Sequence, residues 1–369
     1  MDADGDHVSR LHAAAVDRHA VRLMVIDPRR EGDAAIDVTG FAALPARLAT
    51  GDLVVVNDAA TLPASFAGLV AGGTSQGAPV EVRLIPPVRG PHVAAVLFGA
   101  GDHTTPTERR PPPPPLVRGD IIALGGRLRA RVVTVAGRQA TLDLEVTGPD
   151  GELATELEAL WQAIYAAGRP VLYAHRATSL PLWAVQTVYA GRPWSAEMPS
   201  AGRPLTWDIL LGLRRRGVDI ATLTHAAGLS ATGDAVLDAA LPLPEPYDIP
   251  TATIDAIAAT RARGGRVIAV GTTVVRALEA SALATGAPVA GPGLAALVIT
   301  PEHRLRVVDG IISGLHGPEE SHFRLLGALV PRATLDRALD RAAAAGLAGH
   351  ELGDACLIVP GGGTATPYP

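Results

Sequence analysis

Between Ala64 and Gly151 the chain is built from short alternating apolar stretches, and on either side of that window it is not. The stretches are Val80–Ile85, Val93–Phe98, Ile121–Leu124, Arg129–Val135 and Ala140–Val146, punctuated by glycine. Regularly spaced short strands of this kind predict a small β-barrel or sandwich. Outside the window, Val21–Asp27 reads as a strand and Asp52–Asp58 as a buried strand ending in polar residues. Helical periodicity runs from Leu153 to Ala167. The clearest unit is a helix over Thr251–Arg263 closed by Gly264-Gly265, a strand at Arg266–Val270, a turn at Gly271-Thr272-Thr273 and a helix at Val274–Leu283. Such a βα unit needs a partly parallel sheet covered by helices. The expected architecture is therefore an α/β domain over 1–63 and 152–369, interrupted by an all-β, barrel-like insertion over 64–151. Pro111 to Pro115 is expected to be an exposed stiff loop.

Composition then excludes several chemistries. All 32 basic residues are arginine, so no Schiff-base lysine and no P-loop lysine exists. Apolar content of 48% with 19% charged residues describes a folded globular protein, and the net charge of −5 gives no support for strong non-specific nucleic-acid binding, which leaves room for a local arginine patch. The single cysteine, Cys356, lies in the run Ala355–Val359 and reads as a small buried hydrophobe, which points to the cytoplasm. Met1 to Ala20 reads as neither a signal peptide nor a membrane span. The histidines form no His-Glu-x-x-His, and one cysteine cannot build a thiolate cluster, so no metal is expected.

A few segments could carry chemistry. Gly271-Thr272-Thr273 sits where a strand feeds a helix, where amides and hydroxyls can hold an anionic ligand or simply cap the helix. Arg276 and Glu279, three apart, could pair with each other. Asn57 is the only asparagine in the chain and ends a buried strand beside Asp58, as a functional amide or a turn residue. Gly310–Ser321 is a Gly/Pro-broken loop holding His316, Glu319 and Glu320, a setting for acid–base chemistry or for a capped helix start. Arg214-Arg215-Arg216 closes a helix with favourable charge.

Taken in order, Gly51–Asp58, Gln186–Ala190, Gly264–Glu279, Val307–Gly310 and Gly353–Ala355 resemble the S-adenosylmethionine:tRNA ribosyltransferase-isomerase (QueA) family of queuosine biosynthesis. The resemblance runs from about Val21 to Ile358, and the Gly264–Glu279 string is its most specific part. It implies a QueA-like α/β fold with an inserted barrel. It also implies S-adenosylmethionine as a ribosyl donor, with adenine and methionine released, and the anticodon stem-loop of tRNA as acceptor partner. Such a reaction needs a base near the carbon beside the sulfonium and a proton donor to the departing adenine. It demands no metal and no lysine. By motif position, His316, His225 and Asp58 are the catalytic candidates, with Glu81 in the barrel as a weaker one. Asn57, Gly271, Thr272, Thr273, Arg276 and Glu279 are the cofactor-binding candidates. A monomer or homodimer is expected.

Several family motifs are altered. Where the family has Asn-Asp-Thr-Arg-Val-Ile-Pro-Ala-Arg, this chain has Asn57-Asp58-Ala59-Ala60-Thr61-Leu62-Pro63-Ala64-Ser65, without either arginine. The family Pro-Thr-Ala-Gly-Leu-His is Pro199-Ser200-Ala201-Gly202-Arg203-Pro204 here, without the histidine. The segment Pro170–His175 also departs from the family pattern. These changes leave open a relative with a small-molecule acceptor, or a ligand-binding relic, beside the tRNA enzyme.

Overall fold

The computed structural model describes residues 17–148, 150–154, 156–174, 179–318, 320–349 and 352–361. The first part of the chain gives β1 (Arg22–Ile26), β2 (Ile36–Gly40), a short α1 (Leu44–Arg47) and β3 (Leu53–Asn57). The inserted run follows as β4 (Ser65–Val70), β5 (Pro79–Ile85), β6 (His92–Phe98), β7 (Ile121–Gly125), β8 (Leu128–Ala136), β9 (Gln139–Thr147) and β10 (Leu153–Ala154). Next come α2 (Leu157–Ala167), α3 (Trp207–Arg215), β11 (Asp219–His225), α4 (Ala235–Ala239), β12 (Glu245–Ile249) and α5 (Thr251–Ala262). The chain ends with β13 (Val267–Val270), α6 (Thr272–Ala282), β14 (Gly291–Ala295), β15 (Gly310–Gly314), α7 (Ser321–Leu326), α8 (Arg332–Ala344) and β16 (Ala355–Ile358).

Nine strands form one mixed sheet in the order β14-β12-β11-β3-β13-β15-β16-β1-β2. Its centre, β11-β3-β13-β15, is parallel. These strands are apolar on both faces, as a sheet covered on both sides requires. Leu53 and Val55 of β3 join one core together with Val267 and Ala269 of β13. Val54 and Val56 join the opposite core together with Ile268 and Val270. The alternation continues in β16, where Cys356 faces the first core and Leu357 the second. Burial pushes the Cys356 thiol up to about 12, which suits the inert packing role read from the sequence.

The insertion is a closed barrel. β4 pairs with β5 and β7, β5 with β6, β9 with both β6 and β8, and β7 with β8, which completes a six-stranded ring. The helix expected from Leu153 starts later, at Leu157, because Leu153 and Ala154 pair with Thr147 and Val146 at the end of β9. Leu160, Ala163 and Ile164 of α2 pack into the barrel core, so that core draws on chain beyond 151. Pro111–Pro115 runs along the surface. No helix among the described residues is long and apolar enough to cross a membrane.

Two buried carboxylates tie distant parts of the sheet domain together. Asp52, just before β3, accepts from Arg266 Nε at 3.1 Å and Arg266 Nη2 at 2.5 Å. Glu279 of α6 accepts from the backbone amides of Arg306, Val307 and Val308 at 2.8, 2.9 and 3.0 Å, which fixes the approach to β15.

Candidate active site

The parallel strands β3, β13 and β15 all end on the same side of the sheet, and their last residues, Asn57, Val270 and Ser313-Gly314, open into one cleft. In open α/β sheets this carboxyl edge is where ligands bind. The cleft measures about 610 Å³, within the range of small-molecule sites. An adjoining hollow of about 70 Å³ shares Glu197, Thr272, Thr273 and His322 with it and reaches Glu245 and Arg276.

Gly271 makes the floor of the cleft. Its φ of 87° and ψ of 156° lie in a region open to glycine alone, and its amide donates to Ile312 O at 2.8 Å. The turn therefore spends its first residue on a sharp reversal, and α6 starts at Thr272 with Gly271, not a threonine, at the cap position. Thr272 and Thr273 form the first helical turn and line the cleft, with the unpaired first-turn amides at that end of the helix. Gly271→Ala is expected to destabilise the fold by about 1–3 kcal/mol, read from the urea midpoint.

His316 stands on the loop after β15 and lines the cleft. Its Nε2 lies 3.2 Å from Ser313 Oγ and its Nδ1 lies 3.0 Å from Glu320 Oε2. Glu320 is itself held by the Gly317 amide at 2.7 Å. His322 stacks on His316 with ring centroids 4.6 Å apart. Burial, His316 and Arg276 push His322 down to about 4, against the opposing pull of Glu320, so its ring is neutral near pH 7. The donor atoms of His316, Glu320 and His322 lie within 4.8 Å of one another, a set able to hold a cation, although both nitrogens of His316 already have partners.

The remaining sequence candidates divide. Asn57, Gly271, Thr272, Thr273 and His316 line the cleft. Asn57 also holds two strands in place. Its Oδ1 accepts from the His225 and Ala59 amides at 2.9 and 3.0 Å, and its Nδ2 donates to His225 O at 3.0 Å. Arg276 reaches only the adjoining hollow. The pairing of Arg276 with Glu279 does not occur. Arg276 instead bonds Glu245 through Nη1 and donates to Leu297 O, Leu243 O and Ala295 O at 3.2, 3.0 and 2.7 Å. Glu279 faces the other way, onto the 306–308 backbone, and does not line the cleft.

His225 is fully buried and off the cleft wall, with neither ring nitrogen hydrogen-bonded. Its Nε2 lies 3.6 Å from Glu245 Oε2, and burial with Arg276 nearby pushes it down to about 3. The structure therefore does not place His225 on the cleft lining. Asp58 is not among the residues that line the cleft; its Oδ1 accepts from Thr224 Oγ1 at 2.6 Å. Glu81 belongs to the barrel and is held by Ser65, Arg83 and Arg110 at 2.8, 2.7 and 2.6 Å. His175 and Glu319 lie outside the described residues.

The buried histidines predict a pH response. With ordinary values near 6.5 and folded values near 3 and 4, His225 and His322 bind protons more readily once unfolded. Stability is complete above about 6.5 and falls as the pH drops toward those folded values. The raised carboxyls of Glu197 and Glu245 act in the opposite sense above about 4.5 and offset part of this fall. The urea midpoint should therefore fall between pH 7.5 and pH 5, and His225→Gln should shrink that fall.

Glu197 and His322 are cleft residues that the sequence did not single out. Glu197 lines both the cleft and the adjoining hollow. Its Oε1 accepts from Tyr173 Oη, from the Ser230 amide at 2.5 Å and from Ser230 Oγ at 3.0 Å. The available signal was a lone carboxylate between Ala196 and Met198, just before Pro199.

Fold and site together define an α/β protein with an inserted six-stranded barrel and a polar, histidine-bearing cleft at its strand ends. A family model described as queuosine biosynthesis protein matches residues 9–358, and the chain belongs to that family. A relative from Gloeobacter violaceus, 35% identical over 331 residues, covers 88% of this chain and 86% of its own length. One from Anaeromyxobacter sp. (strain K) is 36% identical over 357 residues, with 94% of each covered. Both carry the name S-adenosylmethionine:tRNA ribosyltransferase-isomerase. The crystal structure of S-adenosylmethionine tRNA ribosyltransferase from Thermotoga maritima aligns over 95% of this chain and 97% of its own, at 21% identity and a TM-score of 0.49.

Proposed function

We propose that this chain is an S-adenosylmethionine:tRNA ribosyltransferase-isomerase that transfers the ribosyl carbons of S-adenosylmethionine to the aminomethyl-deazaguanine of a tRNA anticodon, with release of adenine and methionine. The observation that carries this reading, in a chain of this family, is the hydrogen-bonded series Ser313–His316–Glu320 on the wall of the strand-end cleft. Glu320 orients the imidazole through Nδ1, and Nε2, beside Ser313 Oγ at 3.2 Å, is the atom that exchanges a proton. A carbon beside a sulfonium is acidified by the positive sulfur, so a positioned imidazole is a base of suitable strength. The start of α6 at Thr272 and Thr273 supplies amides and hydroxyls for the carboxylate of the methionine moiety. Neutral His322 stacked on His316 adds no competing charge.

The test is incubation with S-adenosylmethionine, with and without an anticodon stem-loop carrying the aminomethyl-deazaguanine, while free adenine is followed. Release that requires the RNA supports the reading. Release without RNA, driven by small molecules from a cell extract, would assign a different acceptor.

A further inference from the structure

We propose that Glu197 is the proton donor to the departing purine, a catalytic residue distinct from the His316 series. The assignment rests on the reaction proposed above and concerns its leaving-group side. Oε1 of Glu197 is saturated as an acceptor by Tyr173 Oη, the Ser230 amide and Ser230 Oγ. A proton carried by this carboxyl therefore resides on Oε2. The residue borders both the cleft and its adjoining hollow, so a purine lodged at their junction meets that carboxyl.

The surroundings raise the carboxyl above its ordinary value. Burial raises the Glu197 carboxyl, with Glu245 adding repulsion, against the hydrogen bonds from Tyr173 and Ser230. The Tyr173 phenol is itself pushed well up by burial and by Glu197, so it stays neutral and serves as a donor. Arg83, packed over the Tyr173 ring at 5.4 Å and engaged with Glu81, is the positive charge behind this pair. The cleft thus carries a carboxyl group and an imidazole as separate groups for the acid and base roles.

In the step itself, the bond between the sugar carbon and the purine nitrogen breaks and its electron pair stays on the purine. The Glu197 proton passes to that purine, which leaves as neutral adenine, and Glu197 is left as a carboxylate. The open cleft returns a proton from solvent before the next turnover.

Glu197→Gln keeps the shape and removes the acid. Expected is a loss of adenine release of about 10²- to 10⁴-fold in kcat, with S-adenosylmethionine affinity unchanged by calorimetry. A donor analogue whose purine carries an extra ring nitrogen, and so leaves more readily, should recover most of the lost rate. Wild-type kcat in Glu197→Gln, or a raised KM with unchanged kcat, would overturn the assignment. Should Glu197→Gln fail to fold, Tyr173→Phe decides. Removing the phenol's bond should move the alkaline limb of the adenine-release profile upward, and an unmoved limb counts against the proposal. A wild-type protein that releases no adenine under any acceptor would refute the underlying reaction, whereas a working wild type with an indifferent Glu197→Gln refutes only the acid.

Discussion

His316→Ala should lower adenine release by about 10²- to 10⁴-fold while S-adenosylmethionine still binds. The imidazole is the one sequence-predicted catalytic group that lies on the cleft wall, with both nitrogens engaged, Nε2 by Ser313 and Nδ1 by Glu320. Its removal deletes the proton acceptor but leaves Asn57, Gly271, Thr272 and Thr273 in place for binding. Glu320→Gln should give a milder version of the same defect, because the amide can still bond Nδ1 and hold the ring in place. Turnover of His316→Ala at the wild-type rate would remove His316 from the mechanism.

Arg276→Met should destabilise the protein by about 3–5 kcal/mol, measured by urea denaturation. The guanidinium is 5% exposed and bonded to the Glu245 carboxylate and three backbone carbonyls from the 243–297 region. Removing it strands a buried carboxylate beside the neutral His225 ring and unpairs those carbonyls. The double variant Arg276→Met with Glu245→Leu should recover much of the loss, since an apolar pair of similar volume tolerates burial where a lone charge does not. A stable Arg276→Met protein that has lost S-adenosylmethionine binding would instead make Arg276 a ligand-binding group.

These two residues show what the sequence could convey. The insertion was legible because short alternating strands in the 64–151 window have a period unlike that of the helices around them. The parallel sheet was legible because a strand, a glycine turn and a helix in succession leave few alternatives. Within the site, residues fixed by backbone geometry were found, as with Gly271 and the threonines after it. Residues whose meaning depends on side-chain partners from elsewhere were not. Arg276 and Glu279 are three apart on one helix, yet each bonds to a different distant segment. His225 and His316 look equivalent as isolated histidines, but one is sealed in the core and the other faces the cleft. Glu197 owes its setting to Tyr173 and Ser230, each more than twenty residues away, which no local pattern encodes.

The altered family motifs also gain a physical reading. Ser65, where the family pattern has an arginine, donates to Glu81, and that carboxylate is neutralised by Arg83 and Arg110 of the barrel region. Ala60, the other altered arginine position, gives its amide to Arg192 O. Arg192 carries its own guanidinium to Asp248 and over Trp194. The chain thus keeps arginines near both altered positions, supplied from other segments.

Whether the cleft performs this ribosyl transfer is decided by mass analysis of an anticodon stem-loop carrying aminomethyl-deazaguanine after incubation with the protein and S-adenosylmethionine, with released adenine measured in the same samples. The target nucleoside should gain the epoxy-cyclopentane carbons, and one adenine should appear for each modified base. An unmodified stem-loop, with or without adenine release, would contradict the proposed reaction.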